Sequence, residues 1–101
     1  MNKQDSLGFI EDLYSIIRSR ARSKKKHSYT KLLLKKGKNK IAQKIGEEST
    51  ELIIDYLHGS KKRTVEEASD LIYHLLVLLY SKKISINDIK KELTKRQNVR
   101  R

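Results

Sequence analysis

From Leu71 to Tyr80 every residue except His74 is apolar or aromatic. A helix that is apolar all round must be covered all round, and a stretch of ten residues cannot cross a bilayer, which takes about 20. The segment therefore predicts the central helix of a bundle, or one that also serves a subunit interface. The rest of the chain has no proline, cysteine or tryptophan and only four glycines in 101 residues, which leaves no material for a disulfide framework, a zinc finger or a turn-rich β fold. The expected fold class is all-α, a compact bundle of four to five helices in a single domain, 1–101, with its core at about 7–96. A domain this small buries little more than ~60% of its unfolded surface, so dimerisation through apolar helices is expected to enlarge the core.

Apolar periodicity supplies the other helices. Leu7, Ile10, Leu13, Tyr14 and Ile17 share a face over residues 6–22, with Asp5 or Ser6 as cap. The run Ser23 to His27, with Lys24, Lys25 and Lys26, reads as an exposed loop, followed by a short helix over Leu32, Leu33 and Leu34 that Gly37 can stop. The third helix is expected from about Asn39 to His58, with Ile41, Ala42, Ile45, Leu52, Ile53 and Tyr56 inward and Gly59 at its C′ position. Gly46 inside it points to tight helix packing, or to close approach of another backbone or a ligand. Thr64 with Glu67 forms a capping-box pattern for the fourth helix, and Ser85 with Asp88 opens the fifth, which carries Ile86, Ile89 and Leu93 and is expected to fray after Arg96.

The formal charge of +12 attracts polyanions, but nucleic acid and a polyphosphorylated small molecule would respond to it alike. Its segregation is more informative. Seven of the twelve acids lie between Glu47 and Asp70, while Ile45–Ser60 and Thr64–Ser81 hold no Lys or Arg. A nucleic-acid binder would line its cations along one helix; here they gather in loops and terminal segments, so no nucleic-acid partner is expected. The start carries no apolar signal or transit pattern, and a cytoplasmic protein without membrane attachment is the expectation.

Glu48 and Glu51 stand three apart, and Glu47 with Glu51 and Glu51 with Asp55 stand four apart. Like charges so spaced each cost a few tenths of a kcal/mol unless a cation sits among them. Glu67 and Asp70 repeat the spacing on the next helix, so antiparallel packing would converge four or five carboxylates into an oxygen-only site for a hard cation such as Mg²⁺. The competing reading is a solvated acidic face, with Glu67 as a capping acid, Glu66 on the surface and Asp55 supporting the site or merely exposed. His27, His58 and His74 lack metal-ligand spacing; His74 either bonds Asp70 or is a buried structural histidine.

Glu47-Glu48-Ser49-Thr50-Glu51 followed by Glu67-Ala68-Ser69-Asp70 resembles the E-E-x-x-E…E-x-x-D pattern of the MazG-like all-α nucleotide pyrophosphohydrolases. Ser28 to Leu33, Lys40 to Glu48 and Asp70 to Leu79 are similar to the phosphoribosyl-ATP pyrophosphohydrolase family in particular. That resemblance implies hydrolysis of phosphoribosyl-ATP to phosphoribosyl-AMP and pyrophosphate, the second step of histidine biosynthesis, by a Mg²⁺-dependent homodimer. It carries metal ligation to Glu48, Glu51, Glu67 and Asp70, with Glu47, Glu48 and Glu51 as the catalytic group. Ser49 stands where the family more often has alanine. A cluster of carboxylates would repel a polyphosphate, so rim cations are needed, and Lys31, Lys40 and Lys44 can supply them, with Gln43 reaching base or ribose. Housecleaning of ordinary nucleoside triphosphates is the competing enzyme reading.

Overall fold

The computed structural model describes residues 8–24 and 28–100, with side chains as far as residue 97. Five helices account for it: α1 (Gly8–Arg22), α2 (Tyr29–Lys36), α3 (Lys38–His58), α4 (Lys61–Ser81) and α5 (Ile86–Arg100). No strand occurs among the described residues, and none of these helices is long and apolar enough to cross a membrane. Leu7 and the expected α1 caps, like Lys25, Lys26 and His27, lie outside the described residues.

α3 and α4 form one long antiparallel hairpin, and α1 and α2 pack across one end of it. Ile17, Leu33, Ile41, Leu76, Val77 and Leu79 make the buried core there, so it draws on α1, α2, the first turn of α3 and the second half of α4. The expected α1 face is the one used. None of the described residues covers the other end of the hairpin. Consequently Ile53 and Tyr56, expected to point inward, are exposed together with Ile54, Leu57 and Val65, and Ala42 is exposed as well. The Leu71–Tyr80 segment is likewise covered on one side only, with Ile72 and Leu75 open to solvent.

The helix ends follow capping chemistry. Ser28 Oγ accepts from the Lys31 N–H at 3.2 Å, and Gly37, at φ +95°, both ends α2 and opens α3 in backbone territory that suits glycine. Ser85 and Asp88 exchange the two expected hydrogen bonds, 2.9 and 3.1 Å, at the head of α5. Tyr14 OH donates to the Ile84 carbonyl at 2.7 Å and ties α1 to the turn between α4 and α5.

The start of α4 differs from expectation. Its cap is Ser60, whose Oγ accepts from the Arg63 N–H at 3.1 Å, and Thr64 lies inside the first turn with its hydroxyl donating to the Ser60 carbonyl at 2.9 Å. Lys61, Lys62 and Arg63 are good helix formers, so the earlier cap gains a turn of helix, and it releases Glu67 from any capping role. Gly59 ends α3 in an extended conformation (φ −100°) rather than a left-handed one, its N–H donating to the Asp55 carbonyl at 2.8 Å. It must be glycine for another reason: a Cβ there would lie 2.6 Å from Asp55 Oδ1 and 2.9 Å from Asp55 Cα.

Gly46 is the opposite case, because a Cβ there would meet nothing within 4 Å. Packing within the chain does not account for this glycine. In urea denaturation, Gly46→Ala is expected to raise stability by up to about 1 kcal/mol, whereas Gly59→Ala is expected to lower it by about 1–3 kcal/mol.

Candidate active site

Glu48 lies two turns after Ile41 on the face of α3 that meets α4, and Glu67 lies two turns before His74 on the face of α4 that meets α3. Both glutamates thus occupy interior positions. Only 8% of Glu48 and 6% of Glu67 is exposed, and Oε1 of each is buried without a hydrogen-bond partner. With Asp70, one turn further along α4 and exposed, they offer three carboxylate oxygens within 4.8 Å of one another. Buried carboxylates with unpartnered oxygens are costly. The arrangement makes sense as a donor set for a hard divalent cation, having oxygen ligands and no nitrogen or sulfur.

The remaining acids are distributed around that centre. Glu51 is exposed on α3 but close enough to Glu67 to raise its pKa. Glu47 is exposed on the outer side, accepting from Gln43 Nε2 at 2.8 Å and lying 3.6 Å from Lys44 Nζ. Its carboxyl is held below the usual range chiefly by the Gln43 bond; burial opposes this, and Lys44 and Lys40 add to the lowering. Lys44 Nζ also lies 3.6 Å from Glu48 Oε2. Burial disfavours the Lys44 ammonium, but Tyr29, Glu48 and Glu47 outweigh it and raise the lysine above its ordinary value. Lys40 and Gln43 therefore adjoin Glu47, while Lys31 Nζ donates to the Ser23 carbonyl at the end of α1.

Arg63 was not among the expected cations. Its guanidinium lies 3.7 Å from Glu67, 3.8 Å from Asp55 and 3.9 Å from Glu66, so Asp55 pairs across the hairpin turn instead of joining the cluster. The signal was available, since Arg63 stands four residues before Glu67; it was masked by starting the helix at Thr64.

His74 is buried, and its Nδ1 lies 2.8 Å from the Asp70 carbonyl oxygen, an acceptor only, so Nδ1 carries the proton. Nε2 of the neutral ring then accepts from Tyr29 OH at 2.7 Å. Of the two alternatives for His74, the buried structural histidine is the one found, bonded to the backbone of Asp70 and not to its carboxylate.

The family model of phosphoribosyl-ATP pyrophosphohydrolase matches residues 10–97. The chain belongs to that family. A phosphoribosyl-ATP pyrophosphatase of Sulfolobus acidocaldarius is 54% identical over 87 residues, covering 86% of this chain and 92% of its own. One of Clostridium novyi is 42% identical over 93 residues, covering 92% of this chain and 84% of its own. A histidine biosynthesis bifunctional protein of Caldanaerobacter subterraneus is 45% identical over 93 residues, which are 92% of this chain and 45% of that protein.

In this phosphoribosyl-ATP pyrophosphohydrolase family member the cluster weighs on Glu67. Burial, followed by hydrogen bonds and charge from Glu48 and Glu51, lifts Glu67 from an ordinary 4.5 to about 7. Glu67 therefore holds its proton more tightly folded than unfolded, and its contribution to stability, complete below the unfolded value, is lost as pH rises through the folded one. Denaturation midpoints in EDTA are expected to fall for the wild type relative to Glu67→Gln between about pH 5 and pH 7.5. Parallel profiles would show that Glu67 titrates normally.

Proposed function

We propose that this chain hydrolyses phosphoribosyl-ATP to phosphoribosyl-AMP and pyrophosphate, the second step of histidine biosynthesis, with Mg²⁺ as its metal. The observation that carries the reading is the pair of buried, unpartnered oxygens on Glu48 and Glu67 converging with Asp70, in a member of this family. Glu48, Glu67 and Asp70 would hold the cation, with Glu51 joining them from α3. When bound, it supplies positive charge against the phosphate oxygens and the departing pyrophosphate.

The chain's own residues do the rest. Lys44 and Lys40 bring positive charge to a rim that would otherwise repel the substrate, and Lys31 and Gln43 extend that rim. Water attacks phosphorus, the P–O anhydride bond breaks, and pyrophosphate leaves with the bonding electrons. The proton lost by water needs an ionised carboxylate. Glu47, kept ionised by Gln43 and Lys44, and Glu51 are exposed, so either can pass that proton on to solvent.

Pyrophosphate release should be rapid from phosphoribosyl-ATP, slow from ATP and dNTPs, and abolished by EDTA. Glu51→Gln is expected to lower kcat by about 10²–10⁴-fold. Equal turnover of ordinary triphosphates would make the enzyme a housecleaning pyrophosphatase, and no release from any nucleotide would remove the enzymatic reading.

A homodimer is part of the proposal. Ile53, Ile54, Leu57 and Val65 at one end of the hairpin, and Ile72 and Leu75 on α4, are apolar surface that a second copy would cover. Sedimentation is expected to give a dimer at micromolar concentration, and Ile54→Glu with Leu57→Glu to give monomer if the hairpin end forms the contact.

A further inference from the structure

The Ser28 to Lys31 segment has no part in holding the cation, yet through Tyr29 it adjoins the site, close enough for Lys44, Glu48 and Asp70 to act on the phenol. Tyr29 is the first residue of α2, and its hydroxyl donates to His74, whose other nitrogen is bonded to the backbone of Asp70. Two hydrogen bonds therefore connect the phenol to a residue of the carboxylate cluster. The ring stands edge-on to His74 (5.7 Å between centroids, 89°) and leans on Tyr73 (6.1 Å, 31°), which itself stands edge-on to His74 at 5.4 Å. Tyr73 OH and the buried Thr30 hydroxyl are also hydrogen-bonded, so both tyrosines are fixed between α2 and α4. Even so, half of Tyr29 is exposed. A ring with its hydroxyl anchored inward, one side on Tyr73 and half its surface in solvent presents a rigid aromatic face.

The exposed aromatics among the described residues are Phe9, Tyr29 and Tyr56. Phe9 is in the first turn of α1 and Tyr56 near the end of α3; Tyr29 alone is hydrogen-bonded to His74. Burial, with Tyr73, Glu48 and Asp70, raises its phenol above the ordinary value against the opposing charge of Lys44.

We propose that Tyr29 is the stacking face for the purine base of the substrate nucleotide, a role that rests on the phosphoribosyl-ATP reading and adds a specificity-determining residue to it. Every purine has a π-face, so stacking needs no free edge on the base, and a face contact is indifferent to a phosphoribosyl group attached to that base. Anchoring by His74 removes the ordering cost that a free aromatic side chain would incur on binding. The carboxylates and lysines then receive the phosphates, and Tyr29 distinguishes a nucleotide from bare pyrophosphate.

The test compares Tyr29→Phe with Tyr29→Leu in the full chain with Mg²⁺. Both variants deprive His74 of its partner, so the difference between them reads the ring alone. AMP and inorganic pyrophosphate are titrated separately by calorimetry, and KM for phosphoribosyl-ATP is measured alongside. AMP is expected to bind Tyr29→Leu at least about tenfold more weakly than Tyr29→Phe, with KM moving in parallel, the scale of losing one base stack. Pyrophosphate affinity is expected to agree within about twofold between the two variants, which also reports that the phosphate end of each is intact. Equal AMP affinity in the two variants, an equal loss for pyrophosphate, or no AMP binding by the wild type would overturn the proposal. Failure of the wild type to hydrolyse phosphoribosyl-ATP would remove the functional reading while leaving the AMP comparison to decide the role of Tyr29.

Discussion

Two carboxylates are buried against each other where α3 meets α4, and the remainder of the molecule is arranged around tolerating that. Glu48 and Glu67 sit at positions where the helical repeat would otherwise place Leu or Ile, with unpartnered oxygens in a surface that excludes water. Apolar side chains there would knit the hairpin more tightly. Stability has to come from elsewhere, and it does: the continuous core lies at one end, where Ile41 on α3 and Leu76, Val77 and Leu79 on α4 meet α1 and α2. The hairpin is clamped beyond the acids on one side and closed by Gly59, Ser60 and the Asp55 to Arg63 pair on the other. Between the two closures the backbone is fixed well enough to hold like charges together.

α2 has more influence on the site than its length suggests. Ser28 caps it, Thr30 and Tyr29 pair with Tyr73 and His74 on α4, and Lys31 bonds back to the end of α1. These bonds join α1, α2 and α4 beside Asp70. They also determine the protonation of His74: the Asp70 carbonyl requires a proton on Nδ1, and this leaves Nε2 to receive the Tyr29 hydroxyl. A histidine so committed orients Tyr29 instead of ligating a metal.

Much of this was legible in the residues, because periodicity and capping are local. The apolar faces of α1 and α4, the stop at Gly37, the Ser85 to Asp88 box and the convergence of Glu48, Glu67 and Asp70 all follow from spacing along one or two helices. What was not legible depends on what else covers a helix. Ile53 and Tyr56 carry the same apolar signal as Ile41, yet α1 and α2 reach only the Ile41 end. The start of α4 was misplaced because Thr64 with Glu67 mimics a capping box, while Ser60 is an equally good cap that yields a longer helix; the misplacement hid Arg63 as a neighbour of Glu67. Tyr29 was invisible for a different reason, since its link to His74 spans 45 positions and no pattern within a helix reports it.

The charge distribution reconciles two demands that pull in opposite directions. At long range a field of +12 draws in a polyphosphate, yet at the site the substrate meets carboxylates. Lys44 lies between these regimes, within 3.6 Å of both Glu47 and Glu48 and raised in pKa by the acids and Tyr29 despite its burial. Its charge cannot neutralise the cluster, because Glu67 is driven to about 7 even with Lys44 and Arg63 nearby. Burial is the largest cause of that rise, and the bonds and charge of Glu48 and Glu51 add to it. A divalent cation held there would offset this, favouring the ionised glutamate and turning the most costly feature of the interior into a binding site. The lysines would then be left to meet phosphate instead of compensating glutamate.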